Sequence, residues 1–386
     1  MQFVIVLITL AIILWWVIGF ILTSSIRRAY DAKDYDRALL FLRYQEMMLF
    51  NRFQMFHKRG HVYQNLGQID AAIRDFKQSI KLNKWDAEVY GCLLSAFMEA
   101  GKVQLFEPYF FEIMALRPHD AKSYSVVGRY HNSLEQTGEA LANFTRAQEL
   151  DPINPVYPTN LALTYLKMDR IDEAVNMLES VHQEFPTDWR IQQIFALAKS
   201  RQENYDEALH VINQTISNNP ANDYNLYLRA YVYRKQERYS DAFKDINRSL
   251  EINPRSWSAF AERGVIYYLM EDYPKASVDF SKAIELAPFE SCPYVDRAMV
   301  FVLQDQLEDA HTDALKGYEI DEESIHAIGM LSVTKFLYDK DNDGAKVLWQ
   351  KLVEKDTRYT DLEWAVDKLG WQGSLVANAK SIIGLL

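Results

Sequence analysis

The sequence predicts an all-α protein in which a single transmembrane helix at the N-terminus leads into a solenoid of about ten helix-turn-helix units. Three observations predict it. An apolar run covers residues 3–22, ten segments of 34 residues follow in unbroken register from 19 to 358, and prolines recur at one offset in six of those segments. A fixed period of this length marks two-helix units that bury their apolar faces only against neighbours. The 386 residues therefore read as one elongated array. Its expected parts are an anchor at 1–24, the repeats at 19–358, a capping helix at 359–372 and an apolar tail at 373–386.

The anchor comes first. Between Phe3 and Leu22 the only polar side chain is Thr9, and about 20 helical residues cover the hydrocarbon core of a bilayer. Nothing basic precedes the run except the terminal amine, unlike the charged start of a cleaved signal peptide. Arg27, Arg28, Lys33, Arg37 and Arg43 follow it. The positive-inside bias then places the array in the cytoplasm, with the bilayer as a partner through residues 3–22.

Composition narrows the rest. A net charge of -11 argues against nucleic acid, which demands a basic stripe to displace counterions. Cys92 and Cys292 lack the close pairing of a metal knuckle or a disulfide framework, which points to a reducing compartment.

Units beginning at 19, 53, 87, 121, 155, 189, 223, 257, 291 and 325 align a small residue of the second helix as Ala38, Ala72, Ala140, Ala174, Ala208, Ala242, Ala276 and Ala310. Helix A carries Gly60, Gly128, Ala162, Ala196, Ala230, Gly264 and Ala298 at its own small position. Pro118, Pro152, Pro186, Pro220, Pro254 and Pro288 end six units, where a residue without an N–H stops one helix before the next. The first unit starts at Gly19 inside the apolar run, so anchor and first repeat helix can form one rod. The third unit is irregular, and Pro108 within "LFEPYFFEIM" should bend or break its second helix.

Stretches such as "RGVIYYLMEDYPKASVDFSKAIELAP" resemble the tetratricopeptide repeat family over residues 19–358. That resemblance implies a right-handed superhelix whose concave groove is lined by helix-A side chains. The groove then reads as polar at Gln54, His57, His61, Glu88, Ser95, Lys122 and Arg129. It turns aromatic and basic at Tyr224, Tyr227, Tyr231 and Arg234. Beyond them Tyr268, Leu269, Val295, Met299, Val302 and Phe336 form an apolar stripe, and a contiguous apolar patch marks an interaction site. The expected partner is a protein, membrane-associated by virtue of the anchor. The clamp of Lys, Asn and Arg with which some members grip chaperone tails is not reproduced in any three units.

Comparing units also exposes a correlation. Arg59, Arg229, Arg263 and Arg297 each precede an aspartate by sixteen residues, at Asp75, Asp245, Asp279 and Asp313, and the six other units have neither. A charge that occurs only with its opposite predicts an ion pair across the two helices of a unit, since an unpaired buried charge costs several kcal/mol. These eight residues are expected to be structural.

No constellation for catalysis or for a cofactor emerges. His57 and His61 stand four apart on one helix face, but nothing adjacent in sequence completes a metal site, so neither an enzyme nor a metal centre is expected. The function expected is a membrane-anchored scaffold or assembly factor. A helix, a double arginine and a cytoplasmic array are also similar in arrangement to the lipopolysaccharide assembly protein B family of the bacterial inner membrane, an adaptor that recruits a membrane protease. That family's C-terminal metal knuckle is absent here. A periplasm-facing envelope-assembly protein is the reversed-topology alternative. Finally, "SLVANAKSIIGLL" after Gly373 is too apolar to hang free, and it is expected to dock on the partner rather than fold back over the groove.

Overall fold

Each 34-residue period folds into a helix pair because the same local signals recur at the same offsets. The computed structural model describes residues 2–48 and 51–386, with side chains for 13–48 and 51–386. It divides into two compact units, residues 1–186 and 187–386. The first holds α1 (Gln2–Asp31), α2 (Tyr35–Met47), α3 (Arg52–Asn65), α4 (Ile69–Leu82), α5 (Ala87–Glu99), α6 (Glu107–Leu116), α7 (Ala121–Ser133), α8 (Thr137–Leu150), α9 (Val156–Lys167) and α10 (Ile171–Glu184). The second holds α11 (Trp189–Arg201), α12 (Tyr205–Asn218), α13 (Asp223–Lys235), α14 (Tyr239–Ile252), α15 (Trp257–Leu269), α16 (Tyr273–Leu286), α17 (Ser291–Leu303), α18 (Leu307–Ile320), α19 (Ile325–Thr334), α20 (Asn342–Lys355), α21 (Leu362–Leu369) and α22 (Ser374–Ile383). In each unit consecutive helices as far as α20 pack on one another, and the sequence register coincides with these pairs.

The turn inside each pair depends on one left-handed residue. Lys33, Glu135, Asp169, Glu203, Glu237, Glu271 and Asp305 have φ between 57° and 63°, and Gly67 and Gly101 occupy the same offset. The next N–H then reaches back over the end of helix A, as Arg238 does to the Tyr233 carbonyl at 2.8 Å and Asp272 to Tyr267 at 2.9 Å, the Schellman geometry. A residue with a Cβ sits there at a cost of about 1–2 kcal/mol. At the other junction, six of the B helices stop just before proline. The following helix is capped by Asp86, Asp120, Asp188, Asn222, Ser256 or Ser324, each of which accepts a backbone N–H of the first turn.

Pro108 corrects an expectation. It lies in the first turn of α6, after a 3-10 turn at Val103–Phe106, where its missing N–H has no intrahelical partner to lose. It starts a helix instead of breaking one.

Helix A and helix B meet through complementary volumes. A Cβ on Gly60 would come within 2.5 Å of the Phe76 ring, one on Gly128 within 2.6 Å of Phe144, and one on Gly264 within 2.7 Å of Phe280. Where helix A has alanine instead, at 162, 196, 230 and 298, the residue sixteen later is Leu178, Ile212, Ile246 or Ala314. The small residue and the ring-sized residue exchange volume across the pair.

At the N-terminus α1 is 30 residues long. Its described part packs on α2, and the Trp15 indole donates to the Met48 carbonyl at 3.1 Å. Among the described residues, no helix is long and apolar enough to cross a membrane. The expected anchor falls, over residues 3–12, on side chains outside the described residues.

At the C-terminus, α21 ends in a left-handed Gly370 and α22 starts from Gly373, whose φ of 57° and ψ of -134° suit only glycine. Helix α22 packs on α17, α19, α20 and α21. Leu369, Trp371, Leu375, Ala379 and Ile382 are buried in one cluster with Val295, Met299 and Val302.

Candidate functional site

The four arginine–aspartate pairs hold the scaffold rather than a ligand. Arg59 Nε lies 2.6 Å from Asp75, Arg229 2.6 Å from Asp245, Arg263 2.7 Å from Asp279 and Arg297 2.7 Å from Asp313. Each Nη2 reaches the second carboxylate oxygen at 2.8–3.0 Å, so every fork is bidentate. The remaining nitrogen ties in the preceding repeat, through Glu46, Asn213, Asn247 and Ser281. One guanidinium thereby fastens three helices.

On the A-helix face of the second unit, Tyr224 and Tyr227 stack with centroids 5.6 Å apart, and Tyr224 is 41% exposed. Arg234 lies over the Tyr231 ring at 5.1 Å. It does not make this end basic. Its Nε is 2.5 Å from buried Glu262, a partner that the sequence reading did not assign. Half-buried Asp296 is pushed up to about 7 by desolvation, with Arg234 opposing and Glu262 reinforcing the rise.

The apolar stripe is a second correction. Tyr268, Val295, Met299 and Val302 are at most 7% exposed, and Leu269 and Phe336 pack against the same core as partly buried side chains. The chain's own C-terminus joins that core. The Tyr268 hydroxyl donates to the Gly370 carbonyl at 3.2 Å, and Gln372 donates to the Tyr268 carbonyl at 2.9 Å. The tail folds back in cis, where the sequence reading favoured docking on a partner.

In the first unit the corresponding face is polar and open. Glu88 and Lys122 are exposed, and Arg129 donates to Ser95 Oγ at 2.7 Å. His57 and His61 on α3 meet Cys92 on α5. The two Nε2 atoms are 3.1 Å apart, and Cys92 Sγ lies 3.4 Å from His57 and 3.5 Å from His61. All three are half-buried. Burial lowers both imidazoles, His61 to about 4 with His57 adding to the effect, and raises the thiol to about 12. His61 also borders a cavity of about 560 Å³ between α1 and α3, lined by Phe20, Thr23, Ser24, Arg27 and Lys58.

Profiles of the tetratricopeptide repeat match residues 53–84, 160–188 and 195–256. The chain carries tetratricopeptide repeats. No curated protein matches it. Among solved structures, the APC/C hetero-tetramer Cut9–Hcn1 is similar with a TM-score of 0.55 and 14% identity over 78% of this chain, which spans 59% of that one. A tetratricopeptide repeat protein from Parabacteroides merdae gives 0.45 and 17% over 71% of this chain and 98% of its own. A thermophilic tetratricopeptide repeat protein from Thermus thermophilus gives 0.44 and 17% over 47% and 98%. The first likeness is one of fold.

The tetratricopeptide register contains the signal that would have found Cys92. Side chains on successive A helices touch at a separation of about one repeat: Ser95 with Arg129 at 34, and Ser125 with Asn160, like His57 with Cys92, at 35. Reading each groove residue against the one 34 or 35 positions on would have joined the cysteine to the histidines.

Proposed function

We propose that this chain is a membrane-anchored, non-enzymatic scaffold or assembly factor whose tetratricopeptide repeats hold a protein partner on their A-helix face. The observation that carries this reading is the open aromatic patch on α13. Tyr224 and Tyr227 stack at the surface beside Tyr231, while the neighbouring apolar stripe is covered by the tail. Tyrosine joins large contact area to a polar tip and few rotors, and it is enriched where interfaces concentrate their energy. Arg234 beside it is largely buried and paired with Glu262, so it is not a free cation for an acidic tail.

The anchor supports the membrane part of the reading. Residues 3–22 are long and apolar enough as a sequence, and the basic residues Arg27 and Arg28 follow them. The array then faces the cytoplasm, as it would in a bacterial inner-membrane protein. An adaptor for a membrane protease shares that side. An envelope-assembly protein facing a periplasm does not.

A photo-crosslinking residue placed at Tyr224 should capture one discrete partner in cells, and the same residue at exposed Val278 on α16 should not. Tyr227→Ala with Tyr231→Ala should abolish that adduct while the chain still melts in one helical transition, lowered by the lost packing of Tyr227 on its core. Equal capture from both positions, or an adduct that survives the double substitution, overturns the groove reading. A reporter active only outside the cytoplasm, fused after Leu386, should be silent, and signal from it reverses the topology.

A further inference from the structure

We propose that His57, His61 and Cys92 bind a zinc-class metal ion on the A-helix face of the second and third repeats, leaving one coordination position free for an external ligand. The geometry points to it directly. A tetrahedral ion with bonds of about 2.0–2.1 Å to nitrogen and 2.3 Å to sulfur sets its nitrogens roughly 3.3 Å apart and each nitrogen roughly 3.5 Å from the sulfur. The triangle formed here measures 3.1, 3.4 and 3.5 Å. The three donors stand where one face of that tetrahedron requires them.

Hydrogen bonding accounts for the triangle poorly. A neutral imidazole nitrogen either carries a proton or offers a lone pair, never both. Three mutual contacts among two such nitrogens and one thiol can all be made only by splitting one proton and one lone pair between two neighbours. A central cation gives each donor a full bond. Binding replaces the Cys92 proton, which leaves to solvent, and the two imidazoles coordinate neutral through Nε2. One thiolate with two imidazoles suits zinc or copper and not magnesium or calcium, which require oxygen.

The surroundings fit a site with a vacant fourth position. Glu88 stands one turn before Cys92 on α5, and its charge, like that of Asp86, acts on both His57 and Cys92. It offsets the charge that a divalent ion keeps after binding one thiolate. Arg129 favours the thiolate from α7 and donates to Ser95 Oγ. Histidines four apart on one helix present their rings to one point, and the cysteine comes from the next A helix. The ion would therefore cross-link two adjacent repeats. This assignment is independent of the aromatic patch and of the anchor.

The full chain, purified in detergent and stripped with a chelator, is titrated with Co²⁺ and then Zn²⁺. We expect one equivalent of Co²⁺, a thiolate-to-metal charge-transfer band and tetrahedral d–d absorption, displaced by an equivalent of Zn²⁺ with a rise in melting temperature. Cys92→Ser should remove the charge-transfer band and weaken zinc binding by about 100-fold or more. His61→Ala should weaken it similarly, while His119→Ala changes nothing. The metal-free variants should melt with the metal-free wild type. No stoichiometric binding at micromolar metal, no thermal shift of the wild type, or a band that persists in Cys92→Ser overturns the assignment.

Discussion

The A helices α3, α5 and α7 and the A helices α15, α17 and α19 are built on the same repeat and present opposite faces. In the first set the face carries Glu88, Ser95, Lys122 and Arg129 and stays open. In the second, α17 carries Val295, Met299 and Val302, which are buried in one cluster with Trp371, Leu375 and Ile382. The contrast teaches that an apolar stripe on a repeat array identifies a covered surface without identifying its cover. Burying it requires only an apolar segment within reach, and here the chain's own last residues provide one. The Gly–Phe contact inside the helix pair, by contrast, occurs in both sets, at Gly60 and Gly128 in the first and at Gly264 in the second.

That comparison breaks most visibly at the cover. Deleting residues 371–386 should make the second unit insoluble or strongly lower its melting temperature, and Leu375→Ala alone should cost about 2–5 kcal/mol. Met299→Glu with Val302→Glu should be comparably damaging, because the tail would then bury two unpaired carboxylates. On the open face, Gln54→Glu with Lys122→Glu should stay within about 0.5 kcal/mol. Chemical denaturation of the four variants decides it. Equal costs on the two faces would mean that the tail covers nothing in solution.

A smaller effect tests the part that the two regions share. Gly128→Ala and Gly264→Ala each drive a methyl into a phenylalanine ring, and each should cost about 1–3 kcal/mol by overpacking. The two penalties should agree although one glycine lies behind an open face and the other behind a covered one. A clear difference would show that the cover reaches through to the helix pair.

A further effect is pH-dependent. Asp296 is raised to about 7 in the folded chain, chiefly by desolvation, from an ordinary aspartate value of 3.8. The folded state therefore holds its proton where the unfolded state has released it, and stability falls as pH rises from about 4 to about 7. Asp296→Asn should remove this fall. It should match the wild type near pH 4 and melt higher at pH 8. Parallel melting curves across that range would show that Asp296 is hydrated and ionised when folded.

Much of the architecture was legible in the sequence because a repeat states each rule several times. The period placed the helix pairs, the prolines placed their ends, and four coincident Arg–Asp substitutions pointed to contacts now seen at 2.6–2.7 Å. The same comparison contained the Gly–Phe and Ala–aliphatic exchange and the left-handed turn position, neither of which was read. What stayed hidden lies outside the period. No repeat rule specifies where a tail goes, so the cover over Val295 and Met299 was invisible. Cys92 is hidden for another reason. Spacing within one helix shows only the two histidines, whereas a solenoid brings together residues one repeat apart.

Tyr268 touches Gly370 and Gln372 across 102 and 104 residues of chain, while a solenoid otherwise makes contacts only between neighbouring repeats. Arrays of purely local contacts can assemble stepwise behind a ribosome, each repeat docking as it emerges. Here the cluster that holds Tyr268, Val295 and Met299 is incomplete until residue 382 has been synthesised, because Trp371, Leu375 and Ile382 belong to it. The closing loop raises the contact order of this segment alone. Its last three repeats should therefore fold late and as one block, and a premature stop upstream of Trp371 would leave a chaperone substrate rather than a shorter array.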